Sequence, residues 1–324
     1  MGYSAYLGHP SQLCSVEEVR LQGGKGDGMR LLQIRNAAGM ELTISADRCA
    51  DISRLIFKGD NMGYFSPCGY VAPGYYDDRG DGFLKSFTAG FLTTCGLTAV
   101  GSPCVDEGET LPLHGTIGNT PCDRLWWTED ENNLYIHAEI SDSRIFARKL
   151  HLSRVITVSK IESRFTVTDT VENQGDTESP VMLLYHMNMG YPLLSERSVV
   201  NISSAEVKPR NEHAAKDLDT WANMLPPTPG FEEQCYYHHH FDREGRASIY
   251  NPDIRKGLSI SFDPQELNHF TEWKMMGVHD YVLGLEPGNC HPDGRDVMRQ
   301  QGKLKYLDPG YNKTYQISIA LFEQ

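Results

Sequence analysis

Apolar and polar residues alternate with a period of two along much of this chain. Over residues 134–140, Leu134, Ile136, Ala138 and Ile140 alternate with Tyr135, His137 and Glu139. Over residues 161–172, Ile161, Phe165, Val167 and Val171 take one face and Glu162, Arg164, Thr166, Thr168 and Thr170 the other. Successive side chains of a strand point to opposite faces, so this pattern predicts strands with one buried and one wetter side. Residues 149–159, 179–186, 257–262, 281–285 and 315–322 read as strands too.

Turn chemistry separates these segments. Glu172-Asn173-Gln174-Gly175-Asp176 and Arg243-Glu244-Gly245 supply residues that favour tight bends, and Gly23-Gly24-Lys25-Gly26-Asp27-Gly28 reads as a hairpin turn or flexible loop. Helices are few: a short one is expected over 16–21 and another over 213–224, stopped by Pro226-Pro227-Thr228-Pro229. Residues 59–82, rich in Gly, Pro, Tyr and Asp, read as a long surface excursion, with strand-like sequence resuming at Phe83. Many strands without interleaved helices predict an all-β chain, a large antiparallel sandwich forming one domain over 1–324.

Composition narrows the partners. A formal net charge of −13 disfavours nucleic acid and anionic membranes, which would repel the chain on average. No apolar run is long enough to span a bilayer. The first ten residues lack the basic flank and apolar core of a signal peptide and do not complete a myristoylation motif. Eight scattered cysteines without a Cys-x-x-Cys pair read as reduced thiols, so a cytoplasmic location is expected.

The candidate chemistry lies in three distant segments. Gly284-Leu285-Glu286-Pro287-Gly288 places Glu286 at the end of an apolar strand, and the following proline holds it in extended geometry. For an arbitrary glutamate the bland reading is a surface strand end; here a polar loop, Asn289-Cys290-His291-Pro292-Asp293-Gly294-Arg295, continues the segment. His186 lies near the end of an apolar strand with Asn188 two residues on, on the same side. His114, in Leu113-His114-Gly115, adjoins a glycine that permits close backbone approach; the bland alternatives are a buried, satisfied His186 and a turn-capping His114. One carboxyl and two imidazoles suffice for general acid–base chemistry near neutral pH, with no metal and no other cofactor expected.

Other motifs weigh less. His238 and His240 would share a strand face, which gives two ligands and no third with diagnostic spacing, so they read as solvated edge-strand histidines. No Gly-x-Ser-x-Gly elbow is present. Asp47-Arg48-Cys49-Ala50-Asp51 reads evenly as a grip on sugar hydroxyls through Arg48 and Asp51 or as an internal ion pair.

In order along the chain, Leu113-His114-Gly115, Asn173-Gln174-Gly175, Tyr185-His186, Leu285-Glu286 and Pro292-Asp293 resemble the galactose mutarotase (aldose 1-epimerase) superfamily, over roughly residues 31–322. The closest likeness is to its aldose-1-epimerase-like branch. The resemblance implies a β-supersandwich of two large antiparallel sheets and a small-molecule sugar as partner. It implies Glu286 as general base, His186 as general acid and His114 as a substrate-positioning residue. The family's Asn-Arg-Ile arginine is missing, since that region reads Gly90-Phe91-Leu92-Thr93-Thr94-Cys95, and Arg48 or Lys85 stands as its substitute. Thr116 replaces the family's second glycine. Asn188, Trp273 as a stacking ring, and Arg295 complete the expected sugar contacts. Two rivals remain at this point: a carbohydrate-binding or sugar-sensing module, and another sugar isomerase or lyase using the same acid–base pair. Anomer exchange would require Glu286 and His186 on opposite sides of one sugar-sized pocket, whereas a binding module needs only hydroxyl partners and a ring.

Overall fold

Three antiparallel sheets share one continuous apolar core in the computed structural model, which describes residues 5–324. Residues 1–4, with the start of the stretch read for targeting signals, lie outside the described residues. Among those described, no helix is long and apolar enough to cross a membrane. All eight cysteines are free thiols.

The alternation read from the sequence appears directly as strands. Asn133–Ser143, Lys149–Ser159, Arg164–Asn173 and Asn312–Glu323 pair in succession inside an eight-stranded sheet. Leu134, Ile136, Ala138 and Ile140 are buried along one face, as the period of two requires. A five-stranded sheet, from Ser15–Arg20 to Asp60–Asn61, packs its apolar side on the same core.

Two expected helices are absent. Residues 16–20 belong to the strand Ser15–Arg20 and Leu21 follows it, the strand pairing with Arg30–Arg35 through the turn at 23–28. Val16 and Val19 lie three apart, a spacing that reads as one helical turn, but pairing with a neighbouring strand decides the conformation. Residues 213–224 hold only the four-residue helix Glu212–Ala215, capped by Asn211, and a 3₁₀ turn at Leu218–Thr220. At Phe83 the chain enters a 3₁₀ turn, Gly82–Lys85, and strand pairing resumes at Ala89.

The six-stranded sheet positions the candidate site. Its order is Ser204–Pro209, Gln234–Phe241, His269–Met276, Tyr281–Gly288, Met182–Met189, Leu92–Leu97. Leu183, Tyr185, Met187, Leu283 and Leu285 enter the large core. His186 and Glu286 therefore emerge on the sheet's other face, and a buried apolar neighbour on either side fixes that orientation. The pairing of Met187 with Leu285 and of Leu184 with Gly288 sets His186 and Glu286 side by side on neighbouring strands.

Beneath them runs a buried polar network. The Arg154 guanidinium donates to both carboxylate oxygens of Asp169, at 2.8 and 2.7 Å, and to Asp51 Oδ1, the Thr94 hydroxyl and the Cys49 carbonyl. Tyr185, adjacent to His186 in the chain, donates its hydroxyl to Asp169 at 2.9 Å. This network ties three sheets together under the strand that carries His186.

Candidate active site

Glu286, His186 and His114 meet in one cleft of about 250 Å³ on the outer face of the six-stranded sheet. Glu286 is 1% exposed and His186 5%. His186 Nε2 lies 3.3 Å from Glu286 Oε1, and the His114 and His186 rings meet edge to face with centroids 5.4 Å apart. Glu286 and His186, the groups expected as base and acid, therefore stand shoulder to shoulder rather than across the pocket from each other, because adjacent strands of one sheet carry them.

Local backbone explains how each side chain arrives. Gly284 leaves room for the carboxyl, since a Cβ there would lie 2.2 Å from Glu286 Oε1. His114 adopts a left-handed backbone, φ 59°, followed by Gly115 at 73°. The His114 amide donates to the Gly101 carbonyl at 2.9 Å, and the His114 carbonyl accepts from the Gly96 amide at 3.1 Å. A Cβ on Gly115 would meet the Gly96 carbonyl oxygen at 2.2 Å, so this approach demands glycine. Left-handed backbone at a histidine is uncommon, and two flanking hydrogen bonds hold it here.

Burial governs the electrostatics. Desolvation lowers His186 to about 4, partly offset by Asn188, and holds His114 well below the usual imidazole value, with His186 and Arg210 adding to the shift. Desolvation raises Glu286 well above the usual carboxylate value; Glu233 adds to this and Arg210 opposes it. Among the described residues, Glu286 Oε1, His186 Nδ1 and His114 Nδ1 are buried without a hydrogen-bond partner. Buried polar atoms are ordinarily satisfied, so orphans clustered at one cleft point to a ligand or water that completes them.

The cleft also contains residues that the sequence did not single out. Arg210 follows the edge strand Ser204–Pro209, donates from Nε to Asp293 Oδ1 at 3.2 Å and from Nη2 to Ser102 and the Pro292 carbonyl, each at 3.1 Å. It lines the cleft, which Lys85 does not; Lys85 is exposed and paired with Asp77. Glu233 and Thr271 line the same wall, and Trp273 Nε1 donates to Glu233 Oε2 at 2.8 Å. Phe83 and Phe87 cover the opposite side, with ring centroids 5.2 Å from His114 and 5.4 Å from His186 respectively.

Four expected sugar contacts lie elsewhere. Arg48 is buried and donates to the carbonyls of Gly118, Val71 and Ser86 at 2.8, 3.1 and 2.7 Å, stapling the middle of the 59–82 excursion and the chain just beyond it to the turn after His114. Asp51 accepts from the Thr94 amide and hydroxyl and from Arg154. Arg295 is buried against Asp106 and Glu109. Each charge already has its partners inside the protein. Asn188 is fully buried, donates to the His186 carbonyl at 3.0 Å and stands behind the imidazole rather than in the cleft. Trp273 does line the cleft, 5.3 Å from the His186 ring.

The paired histidines read as solvated divide. His240 is exposed, while His238 is fully buried, bonded through Nδ1 to the Ser204 hydroxyl and 3.4 Å from Glu272, because the strand Ser204–Pro209 covers that edge. Among the described residues no group of three or more His, Cys, Asp or Glu is arranged to hold a metal ion.

Comparison with known proteins gives this geometry its context. A family model, Domain of unknown function (DUF4432), matches residues 26–321. The chain is 26% identical to a proposed aldose 1-epimerase of Klebsiella pneumoniae, over 96% of this chain and 84% of that one, with a TM-score of 0.89. It superposes on a galactose mutarotase-like protein of Clostridium acetobutylicum at 14% identity, covering 97% and 100%, TM-score 0.71. A galactose 1-epimerase of Lactobacillus acidophilus shares 12% identity, covering 96% and 99%, TM-score 0.62. The fold is the galactose mutarotase-like sandwich. A search of curated proteins gave no sequence match.

Proposed function

The chain belongs to the DUF4432 family, and we propose that it is a mutarotase-like isomerase that interconverts the α and β anomers of a free aldose. The observation that carries this reading is the buried Glu286–His186 contact, 3.3 Å between Oε1 and Nε2, inside a cleft. The two oxygens that exchange protons in mutarotation, the C1 hydroxyl and the ring oxygen, are bonded to the same carbon. An acid and a base standing side by side can therefore reach both, so the opposite-sides arrangement expected from the sequence is not required.

In the forward direction Glu286 removes the C1 hydroxyl proton while His186 protonates the ring oxygen. The C1–O5 bond breaks, the open-chain aldehyde rotates about C1–C2, and closure with reversed roles gives the other anomer. Each positioned acid or base contributes roughly 10²–10⁴-fold. Burial lowers His186 and raises Glu286, so the resting cleft favours the uncharged form of each group. Passing the carboxyl's proton to His186 readies both groups without changing the net charge. Sugar hydroxyls donating to the orphan Oε1 favour this move, since a hydrogen-bonded carboxylate ionises more readily. His114 orients the ring oxygen from the other side of His186, and Trp273 offers a face to the sugar's C–H surface.

The test is saturation-transfer NMR between anomer resonances across a panel of aldoses, with Glu286→Gln and His186→Asn as controls. Anomer exchange lost in both folded variants is the expected result; wild-type exchange in either removes the assignment.

A further inference from the structure

We infer that the cleft selects a neutral pyranose lacking a hydroxyl on C6, that is, a pentopyranose or a 6-deoxyhexose; this rests on the acid–base assignment above. Strand order gives the sugar a direction. His186 and Glu286 lie on adjacent strands, with Thr271 and Trp273 on the next strand beyond Glu286, then Cys235, then Arg210 past the edge strand. In a pyranose, C5 is bonded to the ring oxygen and C2 to the anomeric carbon. With the ring oxygen at His186 and the C1 hydroxyl at Glu286, C2 and C3 extend toward Thr271, Glu233 and Arg210. C5 and its substituent extend the other way, past His186.

The two ends differ chemically. The C2–C3 end carries a carboxylate, a guanidinium and a hydroxyl. Arg210 keeps Nε and Nη2 on Asp293, Ser102 and Pro292, and among the described residues Nη1 has only the Cys235 sulfur at 4.0 Å. Nη1 and Glu233 are thus the donor and acceptor for vicinal hydroxyls. The C5 end is walled by Phe83, Phe87 and Leu113, which pack together as a separate apolar cluster. Among the described residues His114 is the one polar side chain placed there, and its ring is edge-on to His186, next to the ring oxygen's position. With His114 engaged on the ring oxygen, a hydroxymethyl group would bury its hydroxyl against the apolar rings and Leu113, whereas a methyl or hydrogen fits them.

The size of the preference follows from the kind of wall. An apolar pocket rejects an added hydroxyl only modestly, by up to about a hundredfold. The experiment measures kcat/KM for anomer exchange on matched pairs differing only at C6: D-galactose with 6-deoxy-D-galactose, D-glucose with 6-deoxy-D-glucose and with D-xylose, and L-galactose with L-fucose. In every pair that is turned over, the member without the C6 hydroxyl should be favoured by about tenfold to a hundredfold, and Leu113→Asn should narrow that ratio. Exchange with equal or higher kcat/KM for the hydroxymethyl sugars would overturn the selectivity, assign His114 to the C6 hydroxyl and leave anomer exchange standing. No exchange with any of these sugars would overturn the acid–base reading and this inference together.

Discussion

Replacing Glu286 with glutamine should move activity and stability in opposite directions, a signature that a merely structural role for this residue would not produce. Glutamine keeps the shape of the side chain and cannot accept a proton from the C1 hydroxyl. The rate for anomer exchange should fall by about 10²–10⁴-fold, which corresponds to a barrier higher by roughly 3–5 kcal/mol. Stability runs the other way, and its sign follows from burial. The carboxyl is raised above its unfolded value, chiefly by desolvation. Below the ordinary carboxylate range both folded and unfolded states hold the proton, and the glutamate carries no charge into the interior. Above that range the unfolded chain releases its proton while the folded chain retains it, so wild-type stability declines as pH rises toward the folded value. The glutamine variant has no proton to lose at this position and lacks that decline. The variant should therefore match the wild type near pH 5 and exceed it near pH 8, the gap widening by up to about 1.4 kcal/mol for each pH unit over which the folded carboxyl keeps its proton, roughly 2 °C in Tm per unit for a chain of this length. Thermal unfolding by circular dichroism at the two pH values, beside saturation-transfer NMR on the same samples, reads both effects. A variant that is inactive and less stable at both pH values would refute the reasoning, because glutamate would then be a structural anchor.

His186→Asn should lose exchange by about 10²–10⁴-fold. The wild-type pH profile of kcat/KM should hold its plateau down to about pH 4, where His186 in the free enzyme gains its proton, and an acid limb centred near 6.5 would contradict this. His114, His186, His269 and His291 are all lowered by burial, the last two to about 3 and about 2. The unfolded chain takes up protons that the folded chain refuses as pH falls below about 6.5, so these four groups should lower the urea-unfolding free energy by up to about 5 kcal/mol per pH unit toward pH 4.5. His291→Asn should remove about a quarter of that slope; an unchanged slope would mean that the native state accommodates the charge. Arg154→Met should destabilise the fold by about 3–5 kcal/mol in denaturant titrations, since it strands Asp51 and Asp169 in the interior, and a loss below about 1 kcal/mol would show that water reaches the network. In Gly101→Ala the new Cβ would lie 2.0 Å from the Pro292 carbonyl at φ +81°, displacing the chain that holds Arg210. Sugar affinity by titration calorimetry should weaken by at least about tenfold with a folded spectrum retained.

What the sequence could and could not disclose follows from the range of the interaction that fixes each residue. The orientation of His186 and Glu286 was legible because the signal is local: each is a polar residue between apolar neighbours in its strand, and the period of two sends it away from the core. The strands of residues 134–172 were legible for the same reason, and residues 16–21 misled because Val16 and Val19 satisfy a helical spacing as well as strand pairing with Ile34 and Leu31. Arg48 and Asp51 read evenly as sugar contacts or internal partners because polar residues at a strand end commonly meet solvent, and what decides is remote in the chain: Gly118, Ser86, Thr94 and Arg154. Arg210 carries no local mark. In sequence it resembles Arg197, which is exposed and paired with Asp253, and only the approach of Asp293, 83 residues away, turns it into the cleft. The proposed acid and base are thus specified by alternation along a strand, whereas the residues that would distinguish one sugar from another are specified by which strand and loop ends meet at the edge of the sheet. Substitutions at that edge, in Arg210, Glu233 or the Phe83–Phe87 cover, can alter the sugar accepted while the paired strands keep the Glu286–His186 contact in place.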